Sequence, residues 1–236
     1  MEISIPTLLR IKPGAINKTG KYLREAGFRT VALFWGEGME ALLGERIAAS
    51  LDSAGIRVAT RAEIRGNEVE NAIADLLTLP ERLDALVAIG GGKVIDYCKY
   101  LAFLRQLPIL SVPTSIAHDG MASPMASLVA GGRRRTFRAR IPYGVVIDTE
   151  VIARSPRRFS LSGLGDLVSK YTAVRDWKLA YHATGEPVND FAALVSMQSA
   201  NSAVNHPRLD LGDPGFLELV CGSLVMSGVA MEISGS

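Results

Sequence analysis

At 236 residues the chain is long enough for one large domain or two small ones with a real core. Its residues are 48% hydrophobic and 21% charged, a composition that excludes a disordered chain. Twenty-six Lys and Arg against 24 Asp and Glu leave a net +2, so no overall field gathers nucleic acid or an anionic membrane, and any bound anion must be caught locally.

The chain opens without a basic start and a long apolar run, and Glu2 comes early, so residues 1–10 do not read as a signal peptide. Residues 14–27 predict a helix stopped at Gly27. A short apolar run, 31–35, closed by Gly36, predicts a buried parallel strand. Residues 39–54 carry apolar side chains at helical spacing, 57–60 predict a second strand, and 68–79 a helix stopped before Pro80. Residues 83–89 predict a third strand, followed by Gly90, Gly91 and Gly92 and a helix over 93–105. Residues 109–112 predict a fourth strand. This rhythm argues a Rossmann-like α/β sheet, parallel and flanked by helices.

Two short antiparallel strands, 126–130 and 133–139, predict a hairpin about Gly131 and Gly132. Residues 145–147 predict one more strand. Strand signals then stop, and 164–183, 188–204 and 214–234 predict helices. A boundary is therefore expected near residues 154–158, dividing 1–156, a nucleotide-binding α/β domain, from 157–236, an all-helical domain. The last helix is still apolar at Met231 and the chain stops soon after, which reads as a truncated helical domain. Its unfinished apolar surface predicts self-association. Residues 216–233 are the most apolar stretch, but Glu218, Glu232, Gly222 and Gly228 interrupt it, so it reads as a core helix and not a membrane span. Cys98 and Cys221 lie too far apart for a disulfide framework or a CxxC metal site, and read as free thiols of a reducing compartment.

Three segments carry candidate chemistry. Gly90-Gly91-Gly92-Lys93-Val94-Ile95-Asp96 delivers glycines to a helix start, where bare amides and the helix dipole suit a phosphate; a turn that only packs helix on strand has the same residues. It is not GxGxxG, so the standard dinucleotide fingerprint is absent. The loop from Ser111 to Pro124 follows the fourth strand and would face the same crevice; its hydroxyls, His118 and Asp119 suit a polyhydroxy ligand, or satisfy one another as turns. Asp166, in Ser162-Gly163-Leu164-Gly165-Asp166-Leu167-Val168-Ser169-Lys170, is placed at a helix start, as an N-cap or as a metal ligand aimed at the crevice. Arg133, Arg134, Arg135, Arg138 and Arg140 make a basic hairpin that draws in a phosphate ester or guards a solvated edge. Glu37 would accept from an adenine-ribose hydroxyl, or is an exposed turn residue.

In this order and spacing, GGGKVID, PTSIAHDGMASP and GLGDLVSK resemble the sn-glycerol-1-phosphate dehydrogenases, a branch of the superfamily of iron-containing alcohol dehydrogenases, glycerol dehydrogenases and dehydroquinate synthases. The resemblance implies a dehydroquinate synthase-like fold and reduction of dihydroxyacetone phosphate to sn-glycerol 1-phosphate by NAD or NADP chemistry in the cytoplasm. It implies that Gly91, Gly92, Lys93, Val94, Ile95, Asp96, Thr114, Ser115, Ile116, Ala117 and Ser123 bind the dinucleotide. Asp119 and Asp166 would bind the small phosphate-ester substrate, with Asp166 also a catalytic ligand to a divalent metal, zinc or nickel. Homo-oligomerisation of the full-length protein is implied, and neither a nucleic-acid partner nor a membrane span. The family's metal site also needs two histidines beyond the matching segment, and His182 and His206 match neither, so this chain alone is expected to lack bound metal and turnover. Two alternatives stand beside this reading: a dehydroquinate synthase-like NAD-using lyase, and a non-catalytic nucleotide-binding remnant.

Overall fold

The computed structural model describes residues 4–235; residues 1–3, where the leader reading begins, and residue 236 lie outside it. Eight strands form: β1 (Leu8–Lys12), β2 (Thr30–Gly36), β3 (Arg57–Ile64), β4 (Ala85–Gly90), β5 (Ile109–Pro113), β6 (Met125–Ala130), β7 (Arg133–Arg138) and β8 (Gly144–Asp148). The α-helices are α1 (Thr19–Glu25), α2 (Met39–Ser53), α3 (Val69–Thr78), α4 (Gly92–Arg105), α5 (Thr149–Arg154), α6 (Arg157–Thr184), α7 (Asp190–Val204) and α8 (Pro214–Ser234).

Six strands make one sheet in the order β1-β8-β5-β4-β2-β3, and each of these pairings is parallel. Strands β6 and β7 pair separately as the expected antiparallel hairpin. The parallel sheet follows from its composition. β4 reads Ala-Leu-Val-Ala-Ile-Gly with every residue buried, as a strand covered on both faces requires. Alternate side chains serve two cores. Phe34, Leu86, Ala88, Val145 and Ile147 pack on one face against α4 and α8. Trp35, Val87, Ile89, Leu110 and Val112 pack on the other against Tyr22, Ile47 and Leu51 of α1 and α2. Each Val, Leu, Ile or Phe side chain fully buried here contributes roughly 1.5–3 kcal/mol before entropy is counted.

The structure departs from the expected elements at four points. The segment from residue 14 to 27 is a 3-10 turn (Ala15–Lys18) followed by α1, not one helix. Strand β1 was not expected; it is an edge strand whose half-exposed residues give no apolar run. Helix α5 was not expected either. It is only six residues long and starts on Asp148, whose carboxylate accepts from the Glu150 amide at 3.1 Å. The largest departure is α6, which starts at Arg157 directly after Pro156, seven residues before the expected start. Gly163 and Gly165 lie inside this helix.

Gly163 has a packing reason. A Cβ there would stand 2.1 Å from the Ile116 carbonyl oxygen, so the helix backbone lies directly on the loop after β5. Gly228 does the same from α8, where a Cβ would stand 2.8 Å from the Ala122 carbonyl carbon and 2.9 Å from the Asp119 carbonyl oxygen. Helix α8 is long and apolar enough by composition to cross a membrane. In this fold it buries Phe216, Leu217, Val220, Cys221, Leu224 and Val225 in the core that also holds Val145 and Ile147. That core continues unbroken from the sheet into the helices after residue 156.

Candidate functional site

From β2 the chain runs outward through α2 to β3, then returns through α3 to β4 on the other side of β2. The connections thus diverge between the carboxyl ends of β2 and β4, where open parallel sheets leave a crevice for ligands. The two ends are pressed together there. A Cβ on Gly90 (φ +150°) would stand 3.1 Å from the Gly36 Cα and 2.7 Å from Val94 Cγ1. A cleft of about 740 Å³ opens above them, lined by Gly36, Glu37, Gly91, Lys93, Thr114 and Ser115, with Arg46 and Phe159 on its walls.

Gly91 is the N-cap of α4, with φ −79° and ψ −176°. A Cβ there would meet only Ser115 Oγ, at 3.5 Å, so the space above this amide is open. Fourteen residues of helix follow, with the amide ends and the positive end of the dipole at the cleft. An open backbone, a helix start and flanking hydroxyls fit a dinucleotide whose diphosphate lies over the turn. The Lys93 ammonium donates to the Arg65 carbonyl at 2.8 Å, which pulls that side chain across the rim. Glu37 is exposed at the cleft edge.

The other expected cofactor residues are placed differently. Ile95 and Ile116 are 1% and 0% exposed and face the apolar core, because each side chain turns away from the cleft that its neighbour lines. A ligand would reach them only through backbone. Ala117 is half-buried beside them. Asp96 and Ser123 are buried beneath the loop after β5, around Lys99. Asp96 also accepts from the Ser127 amide at 3.1 Å. A small polar pocket of about 280 Å³ lies on this side of Gly92, lined by His118, Asp96 and Arg134 among others. Arg134 is the hairpin arginine that lines this pocket; Arg133, Arg134, Arg135, Arg138 and Arg140 are all exposed.

Asp166 is not an N-cap: it lies inside α6, two turns past the helix start. Its Oδ2 accepts from the Asp119 amide at 3.0 Å, and its Oδ1 meets the Lys170 ammonium at 3.1 Å. Lys170 also meets Asp119 Oδ2 at 2.9 Å, and the Ser227 hydroxyl donates to the same oxygen at 2.7 Å. Asp119 and Asp166 are therefore brought together, from a loop and a helix 47 residues apart, with an ammonium between them. Burial opposes the charge on Lys170, but the two carboxylates outweigh it and hold its pKa above the usual lysine value. Lys170, Ser227 and Lys99 were not singled out in the sequence; a lysine at helical spacing reads as a solvated residue. A second cleft, of about 770 Å³ between α6, α7 and α8, is lined in part by Lys170, Ser227, Trp177 and Met231.

Among the described residues no three His, Cys, Asp or Glu side chains gather closely enough to hold a metal ion. The Lys170 ammonium lies between the carboxylates of Asp119 and Asp166. His118 Nδ1 accepts from the Gly120 amide at 2.9 Å, and His206 stacks on Phe216 with its Nδ1 turned to the Arg208 carbonyl at 2.7 Å. The residues present do not by themselves fit the metal implied by the resemblance. Asp166, the ligand that the resemblance implies, stands among the described residues without the further donors a metal ion needs.

Comparison with known proteins agrees with this architecture. The family model for iron-containing alcohol dehydrogenases matches residues 10–156. A glycerol-1-phosphate dehydrogenase [NAD(P)+] of Methanothermobacter thermautotrophicus is 34% identical over 100% of this chain and 68% of its own length. The enzyme of the same name from Aeropyrum pernix is 34% identical over 99% of this chain and 67% of its own. Among solved structures, glycerol dehydrogenase from Schizosaccharomyces pombe matches 99% of this chain and 62% of its own with a TM-score of 0.85 at 19% identity. An iron-containing alcohol dehydrogenase from Thermotoga maritima matches 100% of this chain and 70% of its own with a TM-score of 0.72 at 17% identity. The chain spans roughly two thirds of the length of these relatives. With that family model matching residues 10–156 and relatives 34% identical along its whole length, the chain belongs to the iron-containing alcohol dehydrogenase family, alongside the glycerol-1-phosphate dehydrogenases.

Proposed function

We propose that this chain is the nucleotide-binding part, residues 1–156, and the first part of the metal- and substrate-binding part, residues 157–236, of an NAD(P)-dependent glycerol-1-phosphate dehydrogenase. The reaction of such an enzyme is reversible reduction of dihydroxyacetone phosphate to sn-glycerol 1-phosphate. The observation that carries the reading is the open amide of Gly91 at the switch-point cleft, with Thr114 and Ser115 on the next strand end. A nicotinamide dinucleotide bound there supplies the hydride. The chain's own residues bind and orient. Gly91 and Gly92 present amides to the diphosphate, and Lys93, Val94, Thr114 and Ser115 line its path. Asp119 holds a substrate hydroxyl, fixed in place by Lys170 and Ser227. Asp166 orients the Asp119 amide. Ile95, Asp96, Ile116, Ala117 and Ser123 support this floor from beneath.

The donor set for a metal ion is incomplete among the described residues. The same observation favours a chain that, by itself, binds nucleotide without turnover. The exposed apolar residues Leu179, Phe191 and Leu194 on α6 and α7 suit self-association or a longer chain, and the buried thiols Cys98 and Cys221 suit a reducing cytoplasm. Titration of NADH and NADPH into the chain, followed by nicotinamide fluorescence, tests the reading. Saturable binding of at least one nucleotide at one site per chain is expected. Absence of binding by both overturns it.

A further inference from the structure

A buried ammonium is costly unless oxygens surround it. Lys99 on α4 is 0% exposed. Its Nζ lies 2.9 Å from Asp96 Oδ1 and 2.5 Å from the Gly120 carbonyl oxygen, and it donates to the Met125 carbonyl as well. The Ser123 carbonyl and hydroxyl oxygens stand farther off, at 3.3 and 3.4 Å. Apart from Asp96 on its own helix, every partner belongs to the stretch 120–125. Asp96 in turn accepts from Ser127 at the start of the hairpin.

The arrangement needs a cation with several protons. The carbonyls of Gly120, Ser123 and Met125 converge on one point, where their oxygens repel unless a donor lies between them. A water has two protons to give, and a neutral amide side chain two; an ammonium has three and a charge. Resting on the nucleotide-binding reading above, we propose that Lys99 is a positioning residue: its ammonium gathers the loop carbonyls from the sheet side, setting the shape of the loop that holds Asp119 and runs on from Thr114 and Ser115. Helices α6 and α8 press on the loop from the other side through Gly163 and Gly228. Gly120, which the Lys99 ammonium ties down, is the next residue after Asp119, whose carboxylate meets Lys170 and Ser227.

The test is Lys99→Met, which keeps the stem and removes all donors, beside Lys99→Gln, which keeps two donors without the charge and serves if Lys99→Met does not fold. Hydrogen exchange is measured amide by amide, with a urea midpoint and an NADH titration on each protein. The expected result is exchange at the amides of Asp119, Gly120 and Ser127 at least tenfold faster in Lys99→Met, and less so in Lys99→Gln. Amides of β2 and β4 should stay within twofold, and the NADH dissociation constant should rise about tenfold in Lys99→Met. Unchanged loop exchange overturns the proposal. So does faster exchange spread evenly over the loop and the strands, or a variant that unfolds outright in both forms, because each marks a general structural role. Exchange needs no cofactor. Wild-type protein that binds neither nucleotide would therefore overturn the functional reading and leave Lys99 to be judged on the exchange pattern.

Discussion

Replacing Gly91 with Ala separates what the turn does for the fold from what it does for a ligand. Gly91 has φ −79° and ψ −176°, a conformation open to any L residue, and an added Cβ meets nothing closer than Ser115 Oγ at 3.5 Å. The fold should therefore barely register the change. Ala is a poorer N-cap than Gly, but it also restricts the unfolded chain, by about 0.4–1 kcal/mol, and the two effects oppose each other. A urea midpoint equivalent to within about 1 kcal/mol of wild type is expected. The methyl instead occupies the space through which a diphosphate would approach the amides. Charge-assisted hydrogen bonds of this kind contribute about 1.5–3 kcal/mol each, so losing one raises the NADH dissociation constant roughly 10- to 150-fold. Fluorescence titration of wild type and Gly91→Ala, with urea melts in parallel, reads both numbers. Equal affinity with equal stability would show that no diphosphate lies on this turn. Gly92→Ala makes a useful contrast, since its Cβ would stand 2.6 Å from His118 Nε2 and so disturbs the loop as well as the ligand.

Gly163→Ala tests the docking of α6. Its Cβ would stand 2.1 Å from the Ile116 carbonyl oxygen and 3.0 Å from Leu224 Cδ1, and backbone cannot swing aside, so a loss of about 1–3 kcal/mol is expected from the urea midpoint. Wild-type stability in this variant would disprove the close contact. Asp84 gives a pH dependence. Its Oδ2 accepts from the amides of Arg29 and Thr30, both at 2.7 Å, and these bonds hold its pKa below the ordinary aspartate value. A carboxylate depressed in the folded state stabilises above its unfolded pKa, about 3.9, and ceases to do so as pH falls through the lower folded value. Wild type should therefore exceed Asp84→Ala in urea midpoint at pH 7, with the gap narrowing below about pH 4. A gap that stays constant down to pH 2 would refute the assignment.

The parts of the fold legible in the sequence are those where burial imposes a simple pattern. β4 shows as an unbroken apolar run because both its faces are covered, and the glycines after it mark the end of that run. β1 does not show, because an edge strand with exposed positions carries Arg10 and Lys12 among its leucines. The start of α6 was obscured by glycines. Gly163 and Gly165 look like loop residues, yet both lie inside the helix, and position 163 is a glycine where the Ile116 carbonyl leaves no room for a side chain. That single misplacement also made Asp166 look like a cap. The site was legible only in part for the same reason. Spacing along the chain brings out Gly91, the loop from Thr114 and the i,i+3 pair of Asp96 and Lys99, but nothing local shows that Lys99 reaches the carbonyls of residues 120–125 or that Lys170 reaches Asp119 across 51 residues of sequence.

Buried Lys99 and half-buried Lys170 explain how the loop keeps its shape with two carboxylates so close together. Lys99 balances Asp96 and fastens the carbonyls on the sheet side. Lys170 stands between Asp119 and Asp166 on the helical side, 2.9 and 3.1 Å away, so one ammonium faces two carboxylates and one negative charge is left over. That residue of charge has the sign that would draw a cation toward Asp166. It also means that an added cation would compete with Lys170 for the same oxygens, and that neutral donors from outside the described residues would have to favour it. The proposed nucleotide cleft does not draw on the Lys170 cluster: it is lined by the Gly91 turn, by Gly36 and by Thr114 and Ser115. The cleft can therefore be complete in a chain whose metal site is not, and the dinucleotide titration is the measurement that bears on the chain as it stands.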